Sequence, residues 1–192
     1  MKKLHFTIMI VVFAMIATFT PQANAQGGKI QPSQKASVTQ YIANDAMITI
    51  TYSRPGVKGR TVWGDIVPYG MEAGNKYSDN KAFPWRAGAN AATTIEFNKD
   101  VMVEGEALAA GKYSIHMIPS EDGKWTVIFN KVSDQWGSYK YDKSQDALRV
   151  MVTPQDAEQE EWLSYGFDDI TDNSTVAYLH WDELMVPFKI SL

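Results

Sequence analysis

The sequence predicts an all-β protein, an antiparallel β-sandwich or jelly roll of about ten strands with one short helical turn. Three features predict this class. Apolar residues alternate with polar ones over many short runs, Gly, Asn and Asp separate those runs, and no segment keeps a 3.6-residue period. The chain therefore fits neither a helical bundle nor a series of strand-helix-strand units.

The first 25 residues have the pattern of an export signal. Lys2-Lys3 precedes an apolar run from Leu4 to Phe19, and Ala23-Asn24-Ala25 has the small residues of a cleavage site. A retained membrane anchor is the weaker alternative, because the run is shorter than the ~20 residues of a spanning helix. The chain has no cysteine, which excludes a lipidated cysteine and any disulfide. We expect a periplasmic or secreted protein that is not a lipoprotein and has no transmembrane segment after signal cleavage.

The sequence after the signal is long enough for one domain. Residues 26–35 are rich in Gly, Gln, Pro and Ser and predict a flexible lead-in, which leaves residues 36–192 as a single β-sandwich domain. Without residues 1–25 the chain keeps 16 basic residues against 22 acidic ones, because the signal contains two of the 18. A net negative charge with no block of Lys and Arg makes nucleic acid and anionic membranes poor partners.

The predicted strands begin with a hairpin, in which Ser37–Ile42 and Met47–Ser53 flank a turn at Asn44-Asp45. Eight further alternating runs follow after a long irregular segment. They are Thr93–Phe97, Val101–Val103, Lys112–Ile118, Lys124–Asn130, Ala147–Thr153, Glu161–Asp168, Thr175–Trp181 and Leu184–Ser191. Thr153-Pro154 followed by Asp156 is typical of a helix N-terminus, so we place the short helical turn there.

Residues 57–91 form the longest stretch without a period, with Gly, Pro, Asn and aromatic residues throughout. A long loop in a compact domain is usually functional. We therefore expect the ligand surface in this segment.

A set of short motifs runs through the chain after the signal. They are Tyr52–Arg60, Val62-Trp63-Gly64, Val67–Gly70, Trp85–Asn90, Ala110–Ser114, Trp125–Asn130, Asp134–Gly137 and Val186-Pro187-Phe188. Together they resemble the exported family catalogued as domain of unknown function number 2911, over nearly the whole mature chain. The resemblance implies no activity.

Two places depart from the family's pattern. Met71–Pro84 is inserted between the Pro-Tyr-Gly and Trp-Arg motifs, and Ala91 stands where the family commonly has an acidic residue. Because Ala91 carries no carboxylate, it cannot serve as an acid, base or ligand here. We interpret the polar residues 75–81 of the insertion as a surface excursion beside the motif.

The best candidate site is the cluster of Trp85, Arg86 and Asn90. A guanidinium has a rigid fork of donors, an amide both donates and accepts, and tryptophan offers a flat stacking face, so the three could hold a sugar or a carboxylated ligand. The structural alternative is that Arg86 stacks on an aromatic ring or pairs with a carboxylate while Asn90 satisfies backbone groups.

Four further residues extend this candidate site. Arg54 and Arg60 flank the preceding turn, and with Trp63 and Tyr69 they could form the opposite wall of a cleft. Alternatively, the two aromatic side chains are lids on the core.

His116 is the weak catalytic candidate. It shares a strand face with Ser114 and could act as a general base or metal ligand. A solvent-facing or hydrogen-bonded strand histidine is the alternative. No glycine-flanked nucleophile turn surrounds Ser114, and no His-Glu-x-x-His spacing supports zinc.

Asp168, Asp169 and Asp172, followed by Asn173, are weak candidates for a calcium site, because they bring several oxygen-bearing side chains into six residues. The sequence lacks the glycine and terminal glutamate of a helix-loop-helix calcium loop. Asx turns explain Asp172 and Asn173 without a metal. We predict no cofactor.

The function we expect is a non-catalytic module in the cell envelope that binds a small molecule, a glycan or an envelope protein through residues 57–91. The alternative is a hydrolase that acts on envelope glycans or peptides with His116 and a carboxylate. A third class, an assembly or scaffold protein, would show a broad apolar patch or a homodimer.

Overall fold

This computed structural model describes residues 30–192, which fold into two stacked antiparallel sheets. The predicted β-sandwich is confirmed. The predicted signal peptide, residues 1–25, lies outside the described residues. Among residues 30–192, no helix is both long enough and apolar enough to cross a membrane.

Ten strands are present in the described residues. Along the chain they are β1 (Gln34–Ile42), β2 (Ala46–Arg54), β3 (Thr93–Phe97), β4 (Val101–Val103), β5 (Glu106–Leu108), β6 (Gly111–Ile118), β7 (Trp125–Asn130), β8 (Asp146–Val152), β9 (Gln155–Asp168) and β10 (Ser174–Ser191). The larger sheet has the order β1-β2-β3-β6-β7-β8, and the smaller has the order β5-β4-β10-β9. The predicted runs at β3 and β4 match residue for residue.

The predicted hairpin between β1 and β2 is confirmed, with pairing that ends at Ile42 opposite Ala46. Ala43 and Asn44 in the turn have positive φ values of 49° and 69°. The side chain of Asn98 closes this end of the sheet, because its Oδ1 accepts from the Met47 N–H at 2.7 Å and its Nδ2 donates to the Asp45 carbonyl at 2.8 Å.

The core lies between the two sheets, where apolar side chains from alternate strand positions meet. Phe129 of β7 packs edge to face on Phe188 of β10, with ring centroids 5.9 Å apart. Other large inward side chains are Ile48, Ile50, Ile95, Phe97, Ile115, Met117, Trp125, Val127, Leu163, Leu179, Trp181 and Ile190. The two-residue alternation of the sequence is therefore the pattern of the core.

The predicted position of the short helical turn is wrong. Residues from Gln155 onward belong to β9, and Gln155 and Asp156 pair with Met185 and Leu184 of β10. Pro154 is compatible with this strand because it precedes the first ladder position. The described chain has its short turn, of 3₁₀ type, at Lys143–Gln145 instead, where Asp142 accepts from the Ser144 N–H at 2.9 Å.

Two predicted strands at the C-terminus are one strand in the structure. β10 continues from Ser174 to Ser191, and its register with β9 shifts around Asp182, whose φ is 56°. This bulge interrupts the alternation of the sequence without ending the strand. The short strand β5 was also missed, because its first two residues are exposed and Glu106-Ala107-Leu108 shows no apolar-polar alternation, whereas the equally short β4 is apolar throughout.

The outer face of the larger sheet is covered along part of its width by residues 131–142, which we call the covering segment. Ser114, His116 and Asn130 lie on this face and are nevertheless buried. The Ser114 hydroxyl donates to the Val132 carbonyl at 2.9 Å, and Asn130 Nδ2 donates to the Asp142 carbonyl at 2.9 Å. Polar strand residues thus anchor the segment to the sheet.

Candidate functional site

The connection between β2 and β3, residues 55–92, contacts both sheets, and we call it the long loop. At its start, the Val57 N–H donates to the carbonyl of Glu161 in β9 at 2.9 Å. Towards its end, Trp85 exchanges two backbone hydrogen bonds with Met117 of β6, at 2.8 and 2.9 Å. The loop is therefore tied to the sandwich at both ends.

A cleft of 370 Å³ opens between the long loop and the residues that precede β1. Its volume lies in the range of small-molecule sites. The lining residues are Pro32, Ser33, Pro55, Gly56, Lys58, Arg60, Ile66, Glu72, Trp85, Arg86, Gly88, Ala89, Asn90 and Trp181. Of the seven predicted ligand residues, the structure places Arg60, Trp85, Arg86 and Asn90 here.

The guanidinium of Arg86 is held on three sides. Its Nη1 donates to the Asn90 carbonyl at 3.0 Å, and its Cζ lies 5.3 Å from the ring centroid of Tyr139 in the covering segment. Gly137 lies so close that an added Cβ would stand 2.8 Å from Cζ. Within residues 30–192, the Nε and Nη2 groups of Arg86 donate to no protein acceptor, so part of its donor fork is available to a ligand.

Asn90 and Gly88 shape the loop beside Arg86. Asn90 has a φ of 60°, and its Nδ2 donates to the Ser33 carbonyl at 3.0 Å, which holds the start of the domain against the cleft. Gly88 allows close packing, because an added Cβ would lie 2.7 Å from Thr93 Oγ1. The structural roles expected as an alternative for this motif are thus present, and they fix the geometry of the cleft.

Of the acidic residues that the structure describes, Glu72 is the one that lines the cleft. Its backbone forms a two-way pair with Phe83, at 2.8 and 3.1 Å, which positions the residue inside the inserted segment. Partial burial raises the pKa of Glu72 above its ordinary value, while the positive charge of Arg86 acts in the opposite direction. The cleft therefore contains an acid that is harder to ionise than one in water.

Four tryptophans form a cluster behind the cleft. The Trp63 ring lies 5.8 Å from Trp85, 5.0 Å from Trp125 and 5.8 Å from Trp181, in edge-on contacts. Trp85 and Trp181 stack at 6.2 Å and form an aromatic wall. The buried indole N–H groups of Trp63 and Trp181 have no acceptor among residues 30–192. A buried donor normally finds a partner, but each of these two nitrogens has less than 1 Å² of accessible surface, so neither is a contact for a ligand in the cleft.

Arg60 and Lys58 add positive charge on the opposite wall. Arg60 folds back on its own loop, with Nε donating to the Val57 carbonyl at 3.0 Å and Nη2 to the Gly56 carbonyl at 2.7 Å. The Lys58 ammonium lies 5.4 Å from the ring centroid of Trp162. Both cations are exposed, so their charge attracts anions to the cleft at low ionic strength.

Three predicted ligand residues, Arg54, Tyr69 and Trp63, lie outside the lining of the cleft. Arg54 binds β9, with Nε donating to the Leu163 carbonyl at 2.8 Å and an ion pair to Glu160 at 3.6 Å. Tyr69 is partly exposed and packs beside Gly64, where an added Cβ would lie 3.2 Å from its ring. Trp63 contacts the aromatic wall from behind.

His116 is fully buried beneath the covering segment. Its Nε2 lies 2.9 Å from Ser114 Oγ and its Nδ1 lies 2.7 Å from Ser138 Oγ. Because Ser114 donates its only hydroxyl proton to Val132, it must accept from Nε2–H, and Ser138 donates to Nδ1. Burial lowers the pKa of His116 to about 4, with Asp146 acting in the opposite direction and Arg86 in the same one. The neutral ring joins the sheet to the covering segment.

A second polar network lies next to this histidine. The Tyr141 ring is 5.3 Å from that of His116, and its hydroxyl donates to Asp146 Oδ2 at 2.7 Å. Arg149 Nε donates to the same oxygen at 2.7 Å. Burial and the Asp146 carboxylate raise the pKa of Tyr141. Asn130 Nδ2 donates to Asp146 Oδ1 at 2.8 Å, so Asp146 is already occupied by three donors.

The acidic residues of the turn before β10 do not come together as a calcium site would require. Among residues 30–192, no group of three or more His, Cys, Asp or Glu side chains could hold a metal ion. Thr171 organises the turn, because its Oγ1 accepts from the Ser174 N–H at 3.0 Å. Asp168, Asp169 and Asp172 are exposed, and a metal role for them stays a prediction.

Sequence reasoning missed Glu72 and Tyr139 as parts of the site. The inserted segment does carry an exposed turn, as predicted, but its two ends at Glu72 and Phe83 pair and face inward. No motif marks Glu72, since its position depends on the path of the loop. The Asp134–Gly137 motif was a signal for the covering segment, although not for its contact with Arg86.

Comparison with known proteins identifies the family alone. Neither a curated protein nor a solved structure matches this chain. A family model described as protein of unknown function (DUF2911) matches residues 33–190, from just before β1 almost to the end of β10. The chain therefore belongs to the family of proteins of unknown function DUF2911.

Proposed function

We propose that this protein is a non-catalytic binding module of the cell envelope, and that its cleft binds a small ligand through a carboxylate held by Arg86. The single observation that carries this proposal is the guanidinium, which is fixed by Asn90, Gly137 and Tyr139 while Nε and Nη2 have no protein acceptor in the described residues.

Fixing a side chain before binding favours affinity. A free arginine loses rotamer entropy when it binds, whereas Arg86 has lost it on folding. A guanidinium that offers two parallel N–H groups matches the two oxygens of a carboxylate. The absence of an ion pair from Arg86 to any described acid leaves that geometry to a ligand.

The surroundings of Arg86 support the same ligand class. Lys58 and Arg60 add positive charge to the lining, which favours an anionic group. Trp85 and Trp181 also line the cleft, but with 4% and 1% of their surface exposed they offer a ligand little apolar surface. The envelope location rests on the export pattern of residues 1–25. Periplasmic and secreted proteins meet glycan and peptide fragments that carry carboxylates, so both are candidate ligands.

The proposal is tested with a thermal-shift panel on residues 26–192, followed by calorimetric titration. The panel pairs short peptides and uronic-acid sugars with the amide of each. We expect stabilisation by acids and not by their amides, about 2.7 kcal/mol at 100 times Kd. Equal stabilisation by acids and amides would overturn the proposal.

Three variants separate the role of Arg86 from a general charge effect. Arg86→Gln removes the cation, Arg86→Lys keeps the charge without the planar fork, and Lys131→Gln removes an exposed cation elsewhere as a matched control. We expect the first two to weaken binding at least about tenfold and the control to bind as the parent does. An Arg86→Gln protein that stays folded and binds acids normally would contradict the proposal.

The alternative hydrolase has less support from the geometry. Both ring nitrogens of His116 are bonded to serine hydroxyls, and the ring has no exposed surface. A general base must reach the proton that it takes from a substrate. The assembly hypothesis is addressed by light scattering of the same preparation.

A further inference from the structure

The carboxylate of Glu72 has no partner in the part of the protein that the structure describes. Among residues 30–192, no donor binds its side-chain oxygens, and no Lys, Arg or His nitrogen lies within 4.0 Å of them. The side chain nevertheless lines the cleft and is half-buried. A partly desolvated carboxylate without a partner is costly, and a cation is the partner that offsets the cost most strongly.

Arg86 does not supply that partner, although it lines the same cleft. The two charges influence each other, yet they stay more than 4.0 Å apart. Each is held by its own support, Glu72 by the backbone pair with Phe83 and Arg86 by Asn90 and Tyr139. Beside the exposed cations Lys58 and Arg60, the cleft therefore presents the Glu72 carboxylate and the Arg86 guanidinium as separate groups more than 4.0 Å apart. A ligand that carries an ammonium and a carboxylate could pair with both.

We propose that the ligand is a small zwitterion of the amino acid or dipeptide class, with its carboxylate on Arg86 and its ammonium on Glu72. This inference rests on the proposed carboxylate binding and adds the second anchor. Trp85 and Trp181 line the same cleft but are almost fully buried, so the two charged side chains, and not an aromatic face, carry the recognition. A cleft of 370 Å³ has room for one or two residues.

The first experiment is a thermal-shift panel of the standard amino acids and their dipeptides, in L and D forms, on residues 26–192. We expect at least one compound to stabilise the protein. The best compound is then titrated calorimetrically beside its N-acetyl form, which has no ammonium, and its C-terminal amide, which has no carboxylate. We expect each blocked form to bind at least about tenfold more weakly than the free zwitterion.

Glu72→Gln tests the second anchor directly. The variant keeps the shape of the side chain, and we expect it to bind the free and N-acetyl forms equally while still preferring the acid over the amide. Arg86→Gln should do the reverse, and Lys131→Gln should bind as the parent does. A Glu72→Gln protein that keeps the preference for the free amine would overturn the inference.

The outcomes distinguish this inference from the proposed function. If the N-acetyl form binds as tightly as the free form while the amide binds weakly, carboxylate binding stands and the ammonium anchor is refuted. The same conclusion follows if no amino acid or dipeptide stabilises the protein but a uronic acid does. If the carboxylic acid and its C-terminal amide bind equally, both proposals fail. A water between Glu72 and Arg86 would then be the partner of both side chains.

Discussion

Replacing Gly137 by alanine tests whether the fixed position of Arg86 determines binding. Gly137 has a φ of 67°, and an added Cβ would lie 2.8 Å from both Cζ and Nη1 of Arg86. Carbon atoms in good contact are ~3.5–4.0 Å apart, so the guanidinium must leave its place. The substitution therefore displaces Arg86 without replacing any residue that lines the cleft.

The cost can be estimated from the contacts that are lost. The left-handed backbone alone costs an alanine about 1 kcal/mol. Displacing Arg86 also breaks its charged hydrogen bond to Asn90 and its contact with the Tyr139 ring, together about 2 kcal/mol after allowance for its partial exposure. We expect Gly137→Ala to lower the free energy of unfolding by about 3 kcal/mol. The control Gly105→Ala, with a φ of 84° and nothing within 4 Å of the new Cβ, should lose about 1 kcal/mol.

Urea denaturation measures both stabilities, and calorimetric titration with the best carboxylate of the panel measures both affinities. We expect Gly137→Ala to weaken binding as strongly as Arg86→Gln, whereas Gly105→Ala binds as the parent does. If the two glycine variants lose the same stability and keep the same affinity, the contact between Gly137 and Arg86 does not organise the site.

Three further predictions concern the scaffold. The pKa of His116 is about 4 in the folded protein and 6.5 in the unfolded chain, so between these two pH values only the unfolded chain binds a proton. The free energy of unfolding should therefore fall by about 3 kcal/mol as the pH is lowered from 6.5 to 4. Urea denaturation at several pH values should show that the free energy of unfolding falls less steeply with decreasing pH in His116→Gln than in the parent. Equal slopes for the two proteins would refute the lowered pKa of His116. Gly88→Ala places a Cβ 2.7 Å from Thr93 Oγ1 and should lower the urea midpoint by an amount equivalent to about 1–3 kcal/mol, which an unchanged midpoint would contradict. Asn98→Ala removes two hydrogen bonds at the first hairpin and should cost about 1–2 kcal/mol, with faster amide exchange at Met47; unchanged exchange there would count against it.

Most of the strands could be predicted from the sequence, because a strand that buries one face alternates apolar and polar residues along its length. Thr93–Phe97 alternates buried and more exposed residues along its whole length, so its bounds are visible without knowing its partners. β9 shows the limit of this approach. Its first half, from Gln155, has no such alternation and is a strand because β10 pairs with it. A pattern that depends on a distant partner cannot be recognised locally.

The candidate site divides in the same way. Trp85, Arg86 and Asn90 are close in sequence and carry distinctive side chains, so their grouping could be predicted. Glu72 joins them only through the fold of the inserted segment. His116 was correctly placed on one strand face with Ser114, but its burial depends on Ser138, more than twenty residues away.

The hydrogen bond from Asn90 to Ser33 has a practical consequence for handling the protein. Pro32 and Ser33 form part of the cleft wall, so an affinity tag joined directly ahead of them would crowd the entrance. Purification handles belong after Leu192, which is not part of that wall. The same proximity suits an optical sensor, because a fluorophore attached near residue 30 would accept energy from Trp85 and Trp181 and report when the cleft fills.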